Sequence, residues 1–141
     1  MLYLVPTLQN LMAQTLHAPK LFRNVPTTDA LQLFDDAGRL DVRKVIGLLN
    51  YKKEDVAVAS DVPLASVRYD KNMPDALAER AREWATALNL VANFFKDQNK
   101  TVLWFQLPNP LLGNMSPRDM IRVGRFAKLL KFTQTALDEA N

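Results

Sequence analysis

The sequence predicts an all-α protein: a helix-turn-helix-like N-terminal bundle followed by a small helical domain, with an N-terminal extension. Three observations predict it. From Arg39 onward apolar residues recur at helical spacing rather than in alternation. Each periodic run is bounded by Pro, Gly, Asn or Asp. The longest run keeps one broad apolar face through Leu77, Ala81, Trp84, Ala85, Leu88, Val91, Ala92 and Phe95, with Arg80, Arg82 and Glu83 mostly on the other face. The expected division is an extension over residues 1–38, a helix-turn-helix-like domain over 39–96 and a C-terminal helical domain over 97–141.

In chain order, Leu2, Leu4, Leu8, Leu11, Met12 and Leu16 approximate a helical stripe, and Pro6 suits a helix that starts near residue 5 or 6. Pro19 and Pro26 break the chain around Leu21 and Phe22. Thr28 and Asp29 can cap a short segment through Leu31, Leu33 and Phe34, whose alternation also permits a strand. Residues 35–38, Asp-Asp-Ala-Gly, read as a turn. Leu40, Val42, Val45, Ile46, Leu48 and Leu49 fit one helix, with Asp41 near its start. Asn50 and Tyr51 turn the chain into a second, shorter helix over 52–59. Ser60 to Pro63 make the next turn, and Pro63 suits the first position of a third short helix over 64–69. The break at Asn72, Met73, Pro74 and Asp75 precedes the long helix, which ends at Asp97, Gln98 and Asn99. A short helix over 101–107 carries Val102, Trp104 and Phe105. A last helix is expected from Ser116 to about Leu137, with Ser116 as N-cap, Pro117 at the first helical position and Asp119 favouring the positive helix end. Residues 138–141 form a short polar tail.

Composition narrows the function classes. The 141 residues are 48% hydrophobic, enough to bury a core. The net charge of +3 is mild, and the whole excess lies in residues 84–141, with seven basic and four acidic side chains. Residues 41–83 balance eight against eight. There is no cysteine, so disulfides, thiolate metal sites and cysteine nucleophiles are excluded. The first residues lack the basic start and long apolar run of a signal peptide, and no window resembles a membrane span. The expectation is a cytoplasmic protein. Neither a P-loop pattern nor G-x-G-x-x-G is present. His17 is the single histidine, with no carboxylate within a helical turn, so a metal site is not expected. Glu54 and Asp55 are adjacent on a helix and diverge by about 100°, so they do not converge as an acid–base pair. We therefore expect no enzyme activity, no catalytic residue and no cofactor.

Two constellations remain. The helix pair over 52–69 has helix-turn-helix spacing: Ala57 is small where the helices must approach, and Val62 and Val67 can bury between them. In such motifs the second helix reads the major groove, which makes Leu64, Ala65, Ser66, Arg68 and Lys71 the candidate DNA-binding residues. Only Arg68 is a strong reader, and Asp61 and Asp70 add unfavourable charge, so a plain bundle of helices is the competing reading.

The second constellation is the loop Leu107, Pro108, Asn109, Pro110, Leu111, Leu112, Gly113, Asn114, Met115 running into Ser116 and Pro117. Large apolar residues stand where small polar ones are expected; either the loop folds back on the core or it presents Leu111, Leu112 and Met115 to a partner. Trp104, Pro117 and Gly124 are read as shaping the fold. Arg118, Arg122, Arg125, Lys128 and Lys131 are spaced along the last helix, as a solvated face or as a contact for an acidic partner or DNA backbone.

Trp104, Pro108, Asn109, Leu112, Gly113, Pro117 and Gly124, placed after a helix-turn-helix-like segment and a long helix, resemble the MbcA/ParS/Xre antitoxin family. The resemblance covers roughly Arg39 to Leu137. Asn114 stands where the family commonly has a second Gly, and Asn tolerates the left-handed conformation well. The resemblance implies an Xre-like domain and a C-terminal toxin-binding domain. It implies a partner, a RES-domain toxin that consumes NAD⁺, neutralised by covering its active-site entrance. It also implies autorepression through operator DNA, and a homodimer or a hetero-oligomer with the toxin. The toxin-binding residues would then be Leu107, Pro108, Asn109, Leu111, Leu112, Gly113, Met115, Ser116, Pro117, Arg122 and Arg125. The rival readings are a free-standing helix-turn-helix regulator without a toxin, and an enzyme.

Overall fold

The computed structural model describes residues 28–140. The helix expected near residue 5 or 6, the breaks at Pro19 and Pro26, and His17 lie outside the described residues. Six α-helices are present among the described residues: α1 (Val42–Leu49), α2 (Lys53–Ser60), α3 (Asp75–Phe95), α4 (Gln98–Gln106), α5 (Pro117–Arg122) and α6 (Phe126–Ala140). No strand forms among them; two isolated antiparallel bridges join Phe34 to Leu40 and Asn109 to Met115. None of these helices is long and apolar enough to cross a membrane.

The local starts and stops follow from side-chain chemistry. Asp41 caps α1 by accepting from the Lys44 N–H at 3.1 Å, and Asp97 caps α4 by accepting from the Lys100 N–H at 2.9 Å. Asn50 (φ 56°) and Asp61 (φ 57°) close α1 and α2 in the left-handed conformation, where Asn and Asp are several-fold enriched. In both cases the next residue reaches back to the helix. Tyr51 N–H donates to the Ile46 carbonyl at 3.1 Å and Val62 N–H to the Ala57 carbonyl at 3.1 Å, and both side chains then drop into the core.

The 21-residue helix α3 is the axis of the fold. It packs on α1, α2, α4 and α6, so its buried surface is wider than one stripe. Leu77, Ala81, Trp84, Ala85, Leu88, Val91 and Ala92 are buried as expected, and Ala87, Asn89, Leu90 and Glu83 are buried as well. Spacing alone assigns Glu83 to the polar face. It is instead 6% exposed and accepts from the Arg80 guanidinium at 2.9 Å. Burial pushes its carboxyl above the ordinary range, Arg80 opposing and Glu79 adding to the rise. One hydrophobic cluster contains residues from Leu31 through to Leu130, including Trp84, Phe105, Met120, Ile121 and Leu129.

Residues 28–40 are tied to α3 by a polar pin. The buried Asn89 amide accepts from the Leu31 N–H at 2.9 Å and donates to the Asp29 carboxylate at 3.0 Å. Asp29 in turn accepts from the Leu33 and Phe34 N–H groups. Asp29 thus caps a turn rather than a helix, and Leu31 and Leu33 enter the core from alternate positions.

Two expectations about helices are corrected. The third short helix expected over 64–69 is a single 3-10 turn, Leu64–Ser66, after which the backbone is extended at Val67. The cause is the burial pattern: Val67 is buried and Tyr69 half-buried while Arg68 and Asp70 are exposed, an alternation that an extended chain satisfies and a helix does not. The single last helix is two helices. Gly124 (φ 84°) closes α5 in a conformation that L side chains rarely adopt, with Arg125 N–H donating to the Met120 carbonyl at 2.8 Å.

Candidate functional site

The loop between α4 and α5 is held at every turn of its backbone. Leu107 ends α4, its N–H donating to the Leu103 carbonyl at 3.1 Å. Asn109 then organises the residues up to Met115. Its side-chain oxygen accepts from the Leu111 N–H at 2.9 Å, and its carbonyl accepts from Leu112 and Asn114 at 2.9 and 3.0 Å. Its own N–H donates to the Met115 carbonyl at 3.0 Å. Pro110–Leu112 form one 3-10 turn, after which Gly113 (φ 67°) and Asn114 (φ 66°) are both left-handed. Asn114 adopts the conformation for which its residue type suits the position. Ser116, 5% exposed, caps α5 by accepting from the Asp119 N–H at 3.2 Å, and Pro117 is buried at the first helical position.

This scaffold divides the apolar residues that sequence alone left together. Leu111 is 78% exposed and Leu107 50% exposed. Leu112 and Met115 are half-buried and pack against the core cluster. Leu112 and Met115 fold back on the core, whereas Leu107 and Leu111 stand in solvent. Pro108 and Gly113 are exposed and Asn109 half-buried. Arg125 joins the same surface, its guanidinium 3.9 Å from the Met115 sulfur. Arg122 faces inward to carboxylates, 3.2 Å from Asp119 and 3.9 Å from Asp55.

Arg118 is the residue that sequence reasoning missed. Its position in the chain suggests one member of a basic series along a single last helix. Instead its guanidinium donates to the Leu49 and Asn50 carbonyls at 2.7 and 2.9 Å, lies over the Tyr51 ring at 5.1 Å and sits 3.6 Å from Asp55. The Tyr51 hydroxyl returns a hydrogen bond to the Arg118 carbonyl at 2.6 Å. Burial holds that hydroxyl protonated well beyond the ordinary range, Arg118 opposing. This clamp supplies the cation that the C-terminal carbonyls of α1 favour. No sequence signal singles it out: α1 has no basic residue in its last turn, but neither have α2, α3, α4 and α6.

The candidate DNA-binding residues fall on the 3-10 turn and the extended segment after it. Leu64 and Ala65 are exposed, Ser66 is half-buried, and Lys71 is exposed in the following turn. Arg68 is engaged with Asp70 through two short contacts, Nε to Oδ1 at 3.0 Å and Nη2 to Oδ2 at 2.7 Å. That pairing raises the guanidinium's affinity for its proton and lowers the Asp70 carboxyl below the ordinary range.

A cleft of about 370 Å³ lies between residues 30–32, Lys44 and the junction of α3 with α4. Two of its three charged groups serve the fold: the Lys44 ammonium donates to the Leu31 carbonyl at 2.7 Å, and Asp97 caps α4. Among the described residues no group of three or more His, Asp or Glu side chains converges as a metal site would require. Comparison with known proteins matches this chain to no family model, no curated protein and no solved structure.

Proposed function

We propose that this chain is the antitoxin of a type II toxin–antitoxin system, which neutralises a RES-domain, NAD⁺-consuming toxin by binding it through the 107–117 loop and the helices after it. Two things support the reading: the sequence resemblance of Trp104 to Gly124, and the geometry of the loop. The observation that carries it is a large apolar side chain, Leu111, held 78% exposed on a backbone fixed by Asn109 on both sides. The fold does not require its exposure, and an apolar side chain on a backbone already fixed is one that a partner can bury at little ordering cost. Operator binding is the rival reading. It ranks second because its strongest reader, Arg68, is paired with Asp70.

The test uses the full chain, because α5 and α6 contribute Met120, Ile121, Phe126, Leu129 and Leu130 to the core and truncation at residue 107 would remove them. A chain carrying Leu107→Asp and Leu111→Asp is co-expressed with the protein encoded by the adjacent reading frame, which the proposal expects to carry a RES domain, and growth and cellular NAD⁺ are followed. The unaltered chain protects, and the doubly substituted chain, folded and equally abundant, does not. Full protection by the substituted chain would refute the proposal.

A further inference from the structure

Beyond naming a toxin, the surface around the loop specifies what the opposing face must look like. Among the described residues Leu111 is the most exposed large apolar side chain, ahead of Val58 at 60% and Leu103 at 56%. Its backbone is already fixed, so docking it orders little more than its own rotamer. Leu112 and Met115 pack beneath the same turn and back it with apolar atoms.

The charge beside this knob has one sign. From Met120 to Leu137 the sequence carries Arg122, Arg125, Lys128 and Lys131 and no acidic residue. Arg122 is engaged with Asp119 and Asp55. Arg125, Lys128 and Lys131 are exposed, and none of them forms an ion pair with a carboxylate among the described residues. Arg125 is joined to the loop through Met115, and Lys128 follows one turn along α6, on the neighbouring face of the helix. The surface is therefore an apolar projection whose loop is joined by Arg125, with two further exposed cations following along α6.

We infer that the partner face complementary to this loop is an apolar socket that takes Leu111, rimmed by carboxylates that meet Arg125, Lys128 and Lys131. This rests on the proposed antitoxin reading and adds the chemistry of the toxin's surface. A nucleic acid would use the cations but gain nothing from Leu111, since phosphate contacts are polar. The two halves of the surface act on different rates. A desolvated apolar anchor slows dissociation, whereas exposed charges speed encounter and respond to salt.

The experiment measures association and dissociation of the full chain with the purified protein of the adjacent reading frame, expected on that reading to carry a RES domain, at low and at physiological salt. Leu111→Ala is expected to raise the dissociation rate roughly thirtyfold or more while association changes less than about twofold. Lys128→Glu with Lys131→Glu is expected to slow association about tenfold at low salt, with the salt dependence flattened. Unfolding midpoints of all variants are recorded, and Leu111→Ala should keep that of the unaltered chain because its side chain touches little of the fold. If the complex forms and Leu111→Ala dissociates like the unaltered chain, the socket is refuted and the antitoxin reading stands. If the unaltered chain forms no complex, both fall. Binding to duplex DNA that is lost on Lys128→Glu and indifferent to Leu111→Ala would assign the surface to nucleic acid instead.

Discussion

The turn at Leu64–Ser66 and the turn at Pro110–Leu112 share a local plan and put it to opposite uses. Each is a three-residue 3-10 turn with a proline at or just before its start and an exposed leucine within it, Leu64 at 45% and Leu111 at 78%. After the first, the chain runs extended, burying Val67 in the core and laying Tyr69 against it with Arg43 of α1 over its ring, while Arg68 and Asp70 pair with each other outside. After the second, two left-handed residues turn the chain back on Asn109, so the leucine stays out and the cations of α6 remain uncompensated. Similar local geometry can therefore serve the core or a partner. The path of the next few residues decides between them.

The comparison can be broken at several points. The largest effect on stability is expected from Arg118→Ala, at the shoulder of the second turn. Arg118 is 20% exposed and its loss orphans the Leu49 and Asn50 carbonyls, costing about 2–3 kcal/mol in chemical denaturation. Arg118→Lys should recover only part of this, because an ammonium cannot bond both carbonyls and stack on Tyr51 together. Val67→Ala comes next, at about 2 kcal/mol, from two buried methyl groups and the cavity they leave. Asn109→Ala removes the side-chain bond to the Leu111 N–H and should cost about 1 kcal/mol. Leu111→Ala should change stability by less than about 0.5 kcal/mol, in contrast to Val67→Ala. An equal loss for the two would erase the distinction between the turns.

The smallest effect sharpens the first turn by pH. The Arg68 guanidinium holds the Asp70 carboxyl below its ordinary value of 3.8. That contribution is present above the ordinary value and is lost as pH falls through the lowered one. Asp70→Asn should therefore lower neutral-pH stability slightly and make the acid limb less steep by the same small amount, the two chains converging at low pH. A steeper acid limb in the variant would contradict the pairing.

How much of this was legible depends on how far apart the interacting residues are. Asp41, Asn50, Asp61 and Ser116 act on their immediate neighbours, and each could be read as a start or stop from its type and position. The broad face of α3 followed from spacing alone. The Arg118 clamp spans 69 residues to Leu49, and the Asn89 pin spans 58 to Leu31. Neither leaves a periodic trace, and an arginine or asparagine in a helix reads as solvated. The third short helix failed for the opposite reason. Pro63 is a sound helix-start signal, but Val67 and Tyr69 gain more from the core at extended spacing than from one more helical turn. For the loop, the sequence marked the apolar residues but could not say which leucine was covered. Leu111 and Leu112 are adjacent and point to different fates.

The reach of the Arg118 clamp also sets an order of events during synthesis. A ribosome adds about 5–20 residues per second, so α1 and α2 exist for several seconds before Arg118 has been made. Throughout that interval the end of α1 relies on water for its last carbonyls. When Arg118 does arrive it fastens α1, and the same stretch of chain has just completed the loop beside it. The exposed face of the loop and the closing of the fold are thus dated to one moment.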